Sequence, residues 1–230
     1  MMEDKKDSTN PELLKSNDRG ARSRLLEVAG IVFSEKGFER ATAKEICGRA
    51  GANTAAVNYY FGGKEQLYVE VLREAHGRLV NFGLLKVLAE DAHVSQKDLE
   101  GFFVRIVHTI LDDSPHSWAA KIMMREMTSR TEAFAELLKL QIRPTERLFR
   151  SVVSRFMGLP MDHEAVIRGT LCMVAQFFFI LQNREVVELV SPELDLKGEG
   201  IDRMARHIWR FTTAGLRVIA SEAKKQKEEG

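Results

Sequence analysis

Between Thr42 and Lys64 the chain reads TAKEICGRAGANTAAVNYYFGGK, 23 residues that spell out two short helices and the turn between them. Thr42 followed three residues later by Glu45 is a capping box, in which the hydroxyl accepts from the Glu45 amide and the carboxylate returns to the Thr42 amide. Ile46 and Ala50, four apart, share the buried face of the first helix. Gly51 supplies the left-handed residue that ends it, and Asn53 is a good N-cap for the second. That second helix is expected over Thr54 to Tyr60. Val57 and Phe61 anchor it, leaving Thr54, Ala55, Asn58 and Tyr59 outside. The outer side suits a DNA groove: Ala55 permits close approach, Thr54 and Asn58 can hydrogen-bond base edges, and an Asn amide matches adenine in the major groove. Tyr59, Tyr60 and Lys64 offer phosphate contacts. A plain helical hairpin with half-buried tyrosines has the same spacing, since short motifs also match by chance.

Outside this stretch the periodicity is helical throughout, so the expected fold is all-α, with a three-helix DNA-binding domain ahead of a larger helical domain. The first helix is expected from Ala21 to Lys36, with Leu25, Ala29 and Val32 on one stripe and Gly37 as its stop. One long helix is expected over Glu65 to Asp91. Others follow over Gln96–Asp112, Ser117–Ser129, Thr131–Met157, Asp162–Leu189 and Ile201–Glu222. Their breaks fall at Ser114-Pro115, Gly158-Leu159-Pro160 and SPELDLKGEG. Pro144 lies inside one helix and predicts a kink or break near Gln141. The domain reading is a disordered arm over 1–20, a helix-turn-helix domain over 21–66, a larger helical domain over 67–224, to which the resemblance described below assigns effector binding and dimerisation, and a disordered tail over 225–230.

The net charge of +1 says little about partners. Its distribution says more, because Leu13 to Lys64 holds nine Lys/Arg against five Asp/Glu. Cys47 and Cys172 both sit in apolar helical patterns and read as reduced thiols of a cytoplasmic protein. The N-terminal segment lacks the apolar stretch of a signal peptide. TLCMVAQFFFIL, from Thr170, is too short to span a bilayer, so no membrane insertion is expected.

Residues 22 to 72 resemble the DNA-binding domain of the TetR family of transcriptional repressors. The resemblance is carried by RSRLLEVAGIVFSEKGF, then AT-x-x-E-I, then G-A-N-x-A-A-V-N-Y-Y-F-G-x-K-E-x-L-Y. It implies that Lys44 reaches a base or phosphate, that Thr54, Ala55, Asn58 and Tyr59 lie in or beside the major groove, and that Lys64 clamps the DNA backbone. The candidate DNA contacts are accordingly Thr42, Lys44, Thr54, Ala55, Asn58, Tyr59, Tyr60 and Lys64. Tyr60 stands where His is common and Cys47 where Ala is usual. Asn58 replaces an aromatic residue of several relatives, which leaves the operator sequence open.

The C-terminal half resembles the CecR-like branch of the same family, through I-M-M-R-E-M-T from Ile122, T-E-A-F from Thr131 and G-T-L-C-M-V-A-Q-F-F-F-I from Gly169. This resemblance implies a homodimer in which the last two long helices pair with their symmetry mates. The expected interface is Leu171, Val174, Phe178 and Leu181 with Met204, Ile208 and Phe211, although a buried helix of a monomer would show the same stripe. It also implies an effector cavity for a hydrophobic small molecule, walled by Phe102, Phe103, Ile106, Met123, Met124, Met127, Phe134 and Phe177. An ordinary core would use the same residue types. Arg125 and Glu126 interrupt an apolar run, either to pair with other helices or to meet a ligand's polar group.

Enzyme chemistry finds little support. In the phosphate-loop pattern Asn58 replaces the first glycine and Glu65 the hydroxyl residue, and no G-x-S-x-G elbow occurs. The six histidines, read as surface or half-buried, form no cluster with metal-ligand spacing, so no cofactor, metal or catalytic residue is expected. The function these observations imply is a ligand-released repressor on a palindromic double-stranded operator, and the family resemblance implies a drug-export operon as its target. A transcriptional activator shares every DNA-binding feature, and a helical adaptor that has lost DNA contact is the alternative from another class.

Overall fold

The computed structural model describes residues 11–91, 93, 95–111 and 117–228; the side chains of 11–17, 177, 178, 180–182 and 226–228 lie outside that description. The described residues are helical, without strands: α1 Pro11–Arg40, α2 Ala43–Arg49, α3 Ala56–Phe61, α4 Lys64–Leu79, α5 Phe82–Glu90, α6 Gln96–Leu111, α7 Trp118–Thr128, α8 Ala133–Leu137, α9 Arg143–Met157, α10 Glu164–Val190 and α11 Glu199–Glu228. The chain divides into two compact units between Leu72 and Arg73, inside α4.

In the first unit, α1 starts ten residues before the expected Ala21. Proline suits a first helical position because the amide it lacks would have had no intrahelical partner there. At the other end α11 reaches Glu228, through Lys, Gln and Glu residues that favour an already nucleated helix. The arm over 1–20 and the tail over 225–230 are thus both helical where described. Leu25, Ala29, Val32 and Phe33 of α1 are buried, as are Ile46, Cys47, Val57, Phe61 and Leu67. Tyr68 stacks edge-on against Phe33 at 4.8 Å, and Phe38 lies 4.9 Å from the same ring.

In the second unit, α6 packs on α11, while α9 packs on both α5 and α10. Trp209 anchors this core with Phe103 at 5.0 Å and Phe156 at 6.4 Å. A Cβ on Gly169 would come within 2.6 Å of Leu216 Cδ2, so α10 and α11 approach closely at that point. The single helix expected over Glu65–Asp91 is in fact two. Asn81 leaves helical geometry (φ −68, ψ 93) and its side chain accepts from the Leu84 amide at 2.9 Å, capping α5. Arg155 of α9 closes the other end of α5, donating to the carbonyls of Leu88 (2.7 Å), Ala89 (3.2 Å) and Asp91 (2.8 Å). Near Gln141, where Pro144 predicts a kink or break, the α-helix gives way locally. The chain passes from α8 to α9 through one π-helical turn, Leu138–Ile142, which widens the helix just where proline withholds an amide. The expected break at Ser114-Pro115 lies outside the described residues.

Gly37 stands within α1 at φ 77, ψ 170, a conformation essentially restricted to glycine, and it turns the chain toward α2. Gly37→Ala should destabilise the protein by about 1–3 kcal/mol, read as a lower urea midpoint at unchanged slope. An unchanged midpoint would show that the backbone there relaxes without strain.

Candidate functional site

The turn between α2 and α3 is built much as its residues dictate. Thr42 Oγ1 accepts from the Glu45 amide at 3.2 Å, and Gly51 (φ +62) ends α2. The Glu45 carboxylate does not return to Thr42. It binds Lys36 at 2.7 Å and Arg49 at 2.9 Å, and Arg49 also binds Glu35 at 2.8 Å. Charged donors outbid a neutral amide, and the Lys36 hydrogen bond foremost holds the Glu45 carboxyl below its ordinary range. Asn53 Oδ1 accepts from the Ala55 amide at 2.9 Å, and the first helical residue of α3 is Ala56, so Thr54 and Ala55 belong to the turn. Cys47 is buried with its Sγ 3.7 Å from the Thr54 carbonyl, tying α2 to that turn.

Val57 and Phe61 face the core, while Thr54, Ala55 and Asn58 are exposed and Tyr59 is 76% exposed. Lys44 of α2 is exposed, and its ammonium makes no ion pair or hydrogen bond among the described residues. The other three candidate DNA contacts have internal partners. Thr42 serves as the helix cap. The Tyr60 hydroxyl donates to Asp18 at 2.6 Å, and that bond is the main reason its pKa is raised. Lys64 turns inward, donating to the Phe38 and Ala41 carbonyls at 3.1 and 3.3 Å with its ammonium 4.2 Å over the Phe38 ring. Local acceptors thus hold both the Tyr60 hydroxyl and the Lys64 ammonium, the two groups expected to face phosphate.

The second unit holds a cavity of about 480 Å³, partly open to solvent. Ile106, Met123 and Met127 are among its lining residues. Phe102 and Phe103 are not, because Phe102 packs behind Phe149 (6.1 Å) and Phe103 packs on Trp209. Met124 is half-buried outside its walls, and Phe134 lies under the Arg130 guanidinium, 5.2 Å away. The side chain of Phe177 lies outside the described residues. Sequence reasoning missed the rest of the lining: His76, Leu79 and Val80 from α4, Ile142 at the π turn, Thr145, Glu146, Phe149 and Arg150 from α9, and Ile167, Thr170, Leu171 and Val174 from α10. The spacing of 145, 146, 149 and 150 is that of one helix face, which was the available signal.

His76 is only 7% exposed, so the reading of all six histidines as surface or half-buried fails here. Burial pushes its pKa down to about 4, and its Nδ1 has no hydrogen-bond partner. Thr145 Oγ1 is likewise buried without a partner. Glu126 is fully buried and accepts from the Thr131 amide at 3.1 Å, a structural tie across the end of α7.

Of the expected dimer face, Leu171 and Phe211 are each 69% exposed, and Phe179, Val218 and Ile219 add to the exposed apolar surface of α10 and α11. Ile208 belongs instead to the core beside Trp209, Met204 packs partly against that core, and Val174 lines the cavity. The side chains of Phe178 and Leu181 lie outside the described residues. Among the described residues no helix is long and apolar enough to cross a membrane, and no cluster could hold a metal ion.

Residues 25–71 match the family described as bacterial regulatory proteins of the TetR family, and residues 95–216 match the C-terminal domain of the HTH-type transcriptional dual regulator CecR. The CecR protein of Shigella flexneri is 42% identical over 60 residues, 26% of either chain. The regulator BetI of Rhizobium meliloti is 27% identical over 155 residues, 66% of this chain and 73% of that protein. The solved SmeT–triclosan complex superposes with a TM-score of 0.65 at 21% identity, over 85% of this chain and 91% of SmeT, and so shares the fold.

The buried imidazole has a pH signature. His76 stays neutral in the folded protein, whereas the unfolded chain takes up a proton as pH falls through about 6.5, so stability drains away from there down to about 4. Denaturant titrations at neutral pH and at pH ~4.5 should show the protein losing on the order of 2–3 kcal/mol more than its His76→Leu variant. Equal losses in the two proteins would mean that His76 titrates normally.

Proposed function

This chain belongs to the TetR family of bacterial regulatory proteins, with a C-terminal domain of the CecR type, and on that premise we propose that it is a ligand-released repressor acting as a homodimer on a palindromic operator. Its relatives are DNA-binding regulators rather than enzymes. The observation that carries the reading is the outer side of the second helix of the pair: Asn58 and Tyr59 stand in solvent beside Thr54 and Ala55, with Lys44 unpaired on the neighbouring helix. Side chains of this kind read bases from the major groove, and two copies would enter successive grooves about 34–36 Å apart. Thr42, Tyr60 and Lys64 then act by holding the reading helix in place, the last two through α1.

The exposed apolar surface of α10 and α11, which includes Leu171 and Phe211, supports dimerisation through these helices. The cavity supports an apolar effector. An effector shifts DNA affinity by its differential affinity for the two states of the dimer, typically about 1–3 kcal/mol of coupling; α4, which runs in sequence from one unit into the other, is the element we assign to that coupling. SmeT has been described as the repressor of a multidrug efflux pump, which supports a drug-export operon as the regulated target and a cytoplasmic location.

Capture of genomic DNA fragments by the purified protein should enrich one palindrome, and fragments retained without any enriched sequence would overturn the operator reading. Deleting the gene should raise expression of the genes beside that palindrome, whereas a fall would make the protein an activator there. On the enriched operator Asn58→Ala should lose about 1–3 kcal/mol of discrimination at a single base position. Uniform weakening across sequences would assign Asn58 to the DNA backbone instead.

A further inference from the structure

The walls of the cavity are apolar apart from five side chains: His76, Thr145, Glu146, Arg150 and Thr170. Three of these are already satisfied. Thr170 Oγ1 donates to the Val166 carbonyl at 2.8 Å, and Arg150 Nε donates to Glu146 at 2.7 Å, so their charges cancel within one helix face. The other two are not. His76 Nδ1 and Thr145 Oγ1 are both out of contact with solvent and without a hydrogen bond, and their residues are only 7% and 5% exposed. A buried polar atom left unpaired costs free energy, and such atoms are rare enough in folded proteins to need a reason. Both residues belong to the walls of one cavity of about 480 Å³, within the usual range of small-molecule sites, whereas the third such atom, Thr131 Oγ1, belongs to a residue outside those walls.

The chemistry of the two atoms narrows the occupant. An imidazole Nδ1 accepts or donates according to tautomer, and a threonine hydroxyl does both. A hydroxyl group also does both, so it can satisfy either atom in either state. Burial keeps the imidazole neutral, which removes the attraction for an anion that a cationic histidine would provide. An anionic ligand would also meet the Glu146 carboxylate, and a cationic one the Arg150 guanidinium. We propose that the cavity takes a neutral, largely apolar small molecule bearing a hydroxyl, an alcohol or a phenol, whose hydroxyl satisfies His76 Nδ1 and Thr145 Oγ1. This rests on the reading of the cavity as the effector site, and it adds the chemical class of the effector and the residues that select it.

The test compares para-heptylphenol, its methyl ether and para-heptylbenzoic acid by titration calorimetry on the full-length protein at neutral pH. The phenol should bind about tenfold more tightly than the ether, because an aryl ether oxygen only accepts, and weakly, and its methyl group fills the space through which a hydroxyl would donate. The benzoate should bind more weakly than the phenol. Thr145→Val is nearly isosteric and should by itself narrow the gap between phenol and ether; with His76→Leu added, the gap should close while the ether still binds. If the double variant no longer binds the ether, Thr145→Val alone decides the matter. An ether that binds the native protein as well as the phenol, a preference unchanged in Thr145→Val, a benzoate that binds best, or no binding of any of the three would each overturn the proposal. None of these results depends on DNA. Fragment capture reports on the operator reading separately, and a phenol that binds but does not release DNA would sink ligand-released repression while leaving this inference standing.

Discussion

A hydrogen-bonding group taken out of water must find a new partner, and this requirement organises the protein more visibly than any single contact. Helix ends carry the largest debt, because their last carbonyls and first amides lack intrahelical partners. Arg155 meets it for α5, Lys64 for the end of α1, Asn81 and His163 for the starts of α5 and α10, and Glu126 for the Thr131 amide. Against that background the unpartnered atoms of His76 and Thr145 stand out. Both residues line the same cavity, where a molecule from outside can supply what the fold does not.

The same requirement explains how so short an element as α3 can present a fixed face. A helix of six residues cannot hold itself together in water. It is held by Val57 and Phe61 in the core, by the Asn53 turn before it, by Gly62 (φ 80) after it, and by the Tyr60 hydroxyl on Asp18 of α1. Each tie lies on the inner or lateral side, which leaves Asn58 and Tyr59 outside with no side-chain hydrogen bond to the rest of the chain. The local salt bridges of Glu45 with Lys36 and Arg49 cancel part of the positive charge of this unit, so the cation left to face a phosphate on α2 is Lys44.

What the sequence made legible was local. The capping threonine, the left-handed Gly51, the buried Val57 and the exposed Asn58 are all set by neighbours within a few residues, and all are found as read. The misreadings come from partners distant in the chain. Glu45 looked like a return cap until Lys36 was brought beside it. Asn81 sits in an apolar pattern that reads equally well as one long helix, and the end of α5 is closed by Arg155, more than sixty residues away in the sequence. Phe102 and Phe103 had the right composition for a cavity wall, but the aromatic partners that absorb them lie on α9 and α11. A void is a property of packing, and periodicity names the residues near it without saying which side of a helix faces it.

The π turn at Leu138–Ile142 bears on that wall as well. Each π turn carries about one residue more than the α-helical turn it replaces, so every side chain after it is rotated by about 100° from where an unbroken α-helix would put it. Thr145, Glu146, Phe149 and Arg150 face the cavity in this rotated phase. The helix therefore has a reading frame in the geometric sense. Loss of a single residue between Leu138 and Ile142 would leave composition and hydrophobic content almost unchanged, yet it would point a different set of side chains at the void. Relatives that differ here by one residue could share the fold and still line their cavities with different chemistry.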